Sequence, residues 1–125
     1  MLFDTDVLIW AFRGNNNAAN VIDECGDRFV SVVTYMELLQ GAKNKKEQLD
    51  IKKFLSAMGF ETLALTEKVS HRATILMEEF ALKAGLEVAD ALIFSTACEN
   101  SLTLCSGNHK HYREISGLDY QVFRP

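Results

Sequence analysis

Proline is almost missing from this chain: Pro125 is the only one in 125 residues. A proline-rich linker, a collagen-like repeat and a hinge between two domains are thereby excluded. One domain over residues 1–125 is the expectation for this length. Cysteine is scarce too. Cys25, Cys98 and Cys105 are odd in number and show no CxxC spacing, which points to free thiols in a reducing, cytoplasmic compartment. Cys98 and Cys105 sit in apolar runs and are expected in the core. No apolar run is long enough to span a membrane. The longest weakly polar stretch, Val88 to Cys98, is about half of what a spanning helix needs and contains Asp90. A signal peptide is not expected, because the start lacks basic residues and Asp4 interrupts the apolar stretch.

An excess of positive charge is also absent. The formal net charge is −4, which counts against broad binding to a phosphate backbone. It does not exclude nucleic acid, because metal ions in an acidic pocket supply positive charge locally. The basic residues are unevenly placed, with Lys43, Lys45, Lys46, Lys52 and Lys53 in one short stretch. A solvated helix face and a contact surface both fit that run.

What is present is alternation. Met1-Leu2-Phe3, Phe29–Val33, Phe60–Leu65, Leu102–Cys105 and Leu118–Phe123 have the composition of strands. Helices are expected over Val7–Phe12, Ala18–Cys25, Thr34–Ala42, Lys45–Met58, from the Thr66 cap to Ala84, over Val88–Glu99, and over His109–Ile115. Gly59 and Gly85 fall where helices should stop, and Asn100 is a candidate left-handed cap. The class is therefore α/β, with a mostly parallel five-stranded sheet. Ligands in such sheets bind beyond the carboxyl ends of the strands.

The acids fall at that edge. Asp4 follows the first strand and Asp6 lies two residues on. Glu37 lies soon after the second strand, Asp90 opens the helix that leads to the fourth, and Asn108 lies just beyond the fourth. Crowded carboxylates raise one another's pKa unless a cation compensates. Mg²⁺ or Mn²⁺ suits an all-oxygen set and supports displacement at phosphorus. Each acid also has a structural role open to it. Asp4, Thr5 or Asp6 can cap the first helix. Thr34-Tyr35-Met36-Glu37 fits a capping box. Asp90 can be a first-turn acid, although it shares a face with Ile93, Phe94 and Ala97, where an unpaired carboxylate is costly.

Four segments together resemble a known family. Asp4-Thr5-Asp6-Val7-Leu8-Ile9, the run Ser31 to Ala42, Val88-Ala89-Asp90-Ala91-Leu92-Ile93, and Leu102 to Asn108 resemble, in order and spacing, the motifs of PIN-domain ribonucleases, most of all VapC-type toxins of type II toxin–antitoxin pairs. The resemblance implies a three-layer α/β/α sandwich and an endoribonuclease dependent on Mg²⁺ or Mn²⁺. Its partners would be an RNA substrate and a cognate antitoxin protein. It would form a homodimer and touch DNA only through the antitoxin. Carried over by position, Asp4, Asp90 and Glu37 would hold metal. Asn108 would complete the catalytic set at a position acidic in many members, with Asp6 and Ser106 as auxiliaries. An amide at Asn108 brings no charge, and Asp6 stands where Asn or Ser is more usual. A catalytically weakened PIN domain that binds RNA or a partner is thus the alternative.

A phosphatase of the haloacid dehalogenase type also opens on a strand and Asp-x-Asp. Here Val7-Leu8 follows the pair and no Asp-Asp occurs later. His109 and His111 lack a third zinc ligand at suitable spacing and are expected at the rim of the site. There, with Lys110 and Arg113, they are placed to touch phosphates. His71 has no partner in the sequence.

Overall fold

A computed structural model describes residues 1–125. Five parallel strands, β1 (Leu2–Phe3), β2 (Arg28–Ser31), β3 (Phe60–Leu63), β4 (Leu104–Ser106) and β5 (Tyr120–Val122), form one sheet in the order β3-β2-β1-β4-β5. The connections carry α1 (Thr5–Phe12), α2 (Asn16–Asp23), α3 (Val32–Gly41), α4 (Lys45–Ala57), α5 (Glu67–Ala84), α6 (Val88–Glu99) and α7 (His109–Tyr112). The sheet is wholly parallel, so both faces must be covered by helices.

The strand period of two divides the core. Leu2 and Leu104 face one way, into a layer with Phe80, Ile93, Phe94 and Tyr112. Phe3 and Cys105 face the other way, against Val7, Leu8, Ile22 and Leu55. The result is the three-layer α/β/α sandwich. β1 is central and short, and its successor Asp4 is therefore held at the middle of the carboxyl edge.

Three local expectations are corrected. The β-branched run Val32-Val33 is helical, because Ser31 ends the strand and its hydroxyl accepts from the Val33 N–H at 3.1 Å. This cap displaces the Thr34–Glu37 capping box: Thr34 lies inside α3 and Glu37 in its second turn. Asn100 does not take a left-handed conformation; the positive φ, 54°, belongs to Ser101. Cys98 is only half-buried, whereas Cys105 lies fully in the core. Gly85, at φ 68°, ends α5 as expected. No helix is long and apolar enough to cross a membrane.

Candidate active site

Asp4 stands at the junction of β1 and α1. Its Oδ1 accepts from the Thr5 N–H at 2.7 Å, so the capping role is real. Its Oδ2 accepts from the Ser106 hydroxyl at 2.6 Å, 102 residues away at the end of β4. The side chain is almost wholly enclosed. Burial, reinforced by the nearby charge of Asp6, pushes its pKa from the ordinary 3.8 up to about 7. Asp4 therefore serves as a cap and also stores electrostatic strain, and the two readings are compatible.

Asp90 approaches from the other layer. It is the third residue of α6, its Oδ2 accepts from the Glu87 N–H at 3.3 Å, and it is also buried. The Tyr112 hydroxyl lies 3.3 Å from Asp4 Oδ2 and 3.3 Å from Asp90 Oδ1. One phenol thus sits between two carboxylates, and its single proton can serve only one of them at a time. Burial first, then the charges of Asp4 and Asp90, drive the Tyr112 pKa far above its ordinary range, so it is a neutral donor. His111 Nδ1 lies 2.9 Å from Asp90 Oδ2, which places this half-buried ring against the acid rather than merely at its rim. His109 is exposed and stacks on Tyr120, with centroids 5.9 Å apart.

Asp6 closes the cluster from α1. Its Oδ2 accepts from the Gly107 N–H at 2.8 Å, while its buried Oδ1 has no partner. Burial raises its pKa, partly offset by the Gly107 contact. A methyl at Gly107 would lie 2.6 Å from Asp6 Oδ2, so the missing side chain is what lets the carboxylate approach the backbone. Glu37 lies apart from the Tyr112 bridge. Its Oε1 accepts from the Thr5 hydroxyl at 2.8 Å, and Thr5 Oγ1 is also 3.0 Å from the buried hydroxyl of Thr34. The backbone N–H of Asn108 donates to Ser106 Oγ at 3.0 Å, but its side chain does not cap α7.

Asp4, Asp6 and Asp90 thus gather at one edge, with Glu37 tied to Asp4's neighbour Thr5. Tyr112 was not legible as a site residue, and Thr5 and Thr34 only as helix caps, because a lone hydroxyl carries no chemical signal until packing shows what it touches. No three His, Cys, Asp or Glu side chains converge closely enough to hold one metal ion. The donor chemistry nevertheless fits a hard divalent cation. The donors are all oxygens, Asp6 Oδ1 is buried without a partner, and burial and a like charge raise the Asp4 pKa, which a cation would offset.

Comparison with known proteins agrees with this architecture. The PIN domain family model matches residues 1–117. No curated protein matches the chain. Among solved structures, a toxin–antitoxin complex from Klebsiella pneumoniae superposes with a TM-score of 0.80 at 29% identity, covering 94% of this chain and 93% of that one. VapBC2 from Rickettsia felis, bound to a DNA fragment from its promoter, gives 0.83 at 22% identity, covering 98% of each chain. DNA-bound VapBC from Salmonella typhimurium gives 0.82 at 17%, covering 97% and 96%. With the family model spanning β1 to β4 and the whole acid cluster, the chain belongs to the PIN-domain family.

Proposed function

We propose that this protein is a divalent-metal-dependent endoribonuclease that acts as the toxin of a toxin–antitoxin pair. The observation that carries the reading is the Tyr112 bridge: two buried carboxylates from opposite layers, Asp4 and Asp90, meet at one hydroxyl on the ligand-binding edge of a parallel sheet. In this reading Asp4 and Asp90 hold Mg²⁺ or Mn²⁺, with Asp6 and Glu37 contributing from either side. The chemistry supplied by such an ion is Lewis acidity toward a phosphate oxygen and toward water.

The chain's own residues do the rest. The Thr5 N–H and the Ser106 hydroxyl fix both oxygens of Asp4. Tyr112 sets the separation of Asp4 and Asp90. Thr5 orients Glu37, which is half-exposed and placed to meet water or substrate. Asn108, anchored through its backbone, presents an uncharged amide at the rim. The toxin assignment is supported by the toxin–antitoxin complexes among the similar structures. It carries with it an antitoxin partner, a homodimer, DNA contact through the antitoxin alone and a cytoplasmic setting.

The test is cleavage of RNA by the purified protein in Mn²⁺, Mg²⁺ or EDTA, beside Asp90→Asn. Metal-dependent cutting that the variant lacks is expected. Full activity in Asp90→Asn would refute the site. Metal binding by calorimetry without cutting of any RNA offered would instead favour a PIN domain that binds RNA or a partner.

A further inference from the structure

Apart from the lysine run at α4, this acidic chain brings several cations together beside the carboxylates. Lys83 and Ala84, at the end of α5, face Lys110, His111, Arg113 and Glu114 across an open hollow of about 340 Å³. The lysine and arginine ion pairs of the protein are Lys46–Asp50 and Arg72–Glu99. Lys83, Lys110 and Arg113 take part in neither of them. Three cations thus share the hollow with one carboxylate, Glu114. Like charges brought together without partners repel, and an anion relieves that repulsion. Lys83 suits the negative end of α5, and its ammonium lies 5.6 Å from the centre of the Phe80 ring. Lys110 likewise lies in the last turn of α7 and Arg113 is the residue that ends it, so two helix ends deliver these cations to one hollow without pairing them.

His111 joins the hollow to the acid cluster. Its ring lines the hollow, and its Nδ1 touches Asp90. A polyanion with one phosphate at Asp4 and Asp90 would carry its neighbouring phosphates past this ring. Asp4 is 2% exposed, so a flexible strand reaches it more readily than a stiff duplex. We propose that the hollow is a phosphate subsite that seats the backbone of single-stranded RNA next to the bond to be cut. This rests on the nuclease reading and adds the path of the substrate. Lys and Arg contacts of this kind position a chain without reading its sequence.

The test is a salt titration of RNA binding in EDTA, so that the probe stays intact. The probes are fluorescent single-stranded RNAs of about 12 nucleotides and several sequences, within the usual site size. The variant combines Lys83→Ala, Lys110→Ala and Arg113→Ala, all at exposed positions. Binding should weaken by the same factor for every sequence. The slope of log affinity against log salt should flatten by about 2, at about 0.7 per lost contact. Removing Lys46, Lys52 and Lys53 on α4 together should leave the slope unchanged. With metal restored, the hollow variant should show a raised KM and a kcat within a few-fold of the parent.

Parental affinity and slope in the hollow variant would overturn the proposal, as would a loss that follows the α4 set instead. If the parent cuts RNA and the hollow variant behaves like it, only the subsite falls. If the parent neither binds nor cuts RNA, the nuclease reading falls with it.

Discussion

Replacing Asp4 by Asn should stabilise the metal-free protein at neutral pH and abolish its activity. Burial and the neighbouring Asp6 raise the Asp4 pKa from 3.8 to about 7. The folded state therefore binds the proton more tightly than the unfolded chain does. The resulting stability is full below about pH 4 and is lost as pH rises to about 7. At about 1.4 kcal/mol per pKa unit, the ceiling on that loss is about 4 kcal/mol. Asn removes the charge but recovers only part of this. Its single oxygen can keep the Thr5 N–H, whereas the Ser106 hydroxyl must turn or lose its acceptor, at about 1–3 kcal/mol. The net expectation is a gain of about 1–3 kcal/mol at pH 8, or about 3–5 °C per kcal/mol for a chain of this length.

Thermal unfolding in EDTA from pH 5 to pH 9 checks this. The parent should lose stability toward pH 7 and then level off, and Asp4→Asn should show a flatter profile. Adding Mn²⁺ should raise the melting temperature of the parent and leave that of the variant unchanged. A variant destabilised by the same amount at every pH would refute the argument, because the carboxylate would then act only as a cap and hydrogen-bond acceptor.

Other expectations follow from single contacts. Tyr112→Phe keeps the ring against Phe94 and Tyr120, at centroid distances of 5.7 and 5.9 Å, so the fold should change by about 1 kcal/mol or less. Losing the hydroxyl between Asp4 and Asp90 should lower metal affinity by about 10- to 100-fold in calorimetry, and an unchanged affinity would make the hydroxyl mere filling. Gly107→Ala drives a methyl to within 2.6 Å of Asp6 Oδ2 and should break the contact with the Gly107 N–H, costing about 1–3 kcal/mol by denaturant unfolding. Ile93→Ala, at a site 1% exposed, should cost about 2–5 kcal/mol, read as a lower urea midpoint with an unchanged slope.

Much of the fold was legible because its signals are local. Val88–Glu99 was recognised to the residue, and the α5 helix was bounded by the Thr66 cap and Gly85. The boundary at Ser31 was not legible. Val32 and Val33 carry strand propensity, and only the hydroxyl of Ser31, turned onto the Val33 amide, ends β2 there. Glu37 moved out of the first turn for the same reason.

The order of elements, the short strands rich in apolar residues and the acids placed after them are properties of the chain alone. Periodicity and strand–helix alternation dictate a parallel sheet, and such a sheet has one ligand-binding edge. Sequence thus determined which acids share that edge. It could not determine which of them touch, because those contacts join residues that only packing brings together. Tertiary structure placed the Tyr112 hydroxyl between Asp4 and Asp90, left Asp6 Oδ1 without a partner, and set Lys83 opposite Lys110 and Arg113. The physical reason is that burial and Coulomb energy depend on distance through space, and neither follows from distance along the chain.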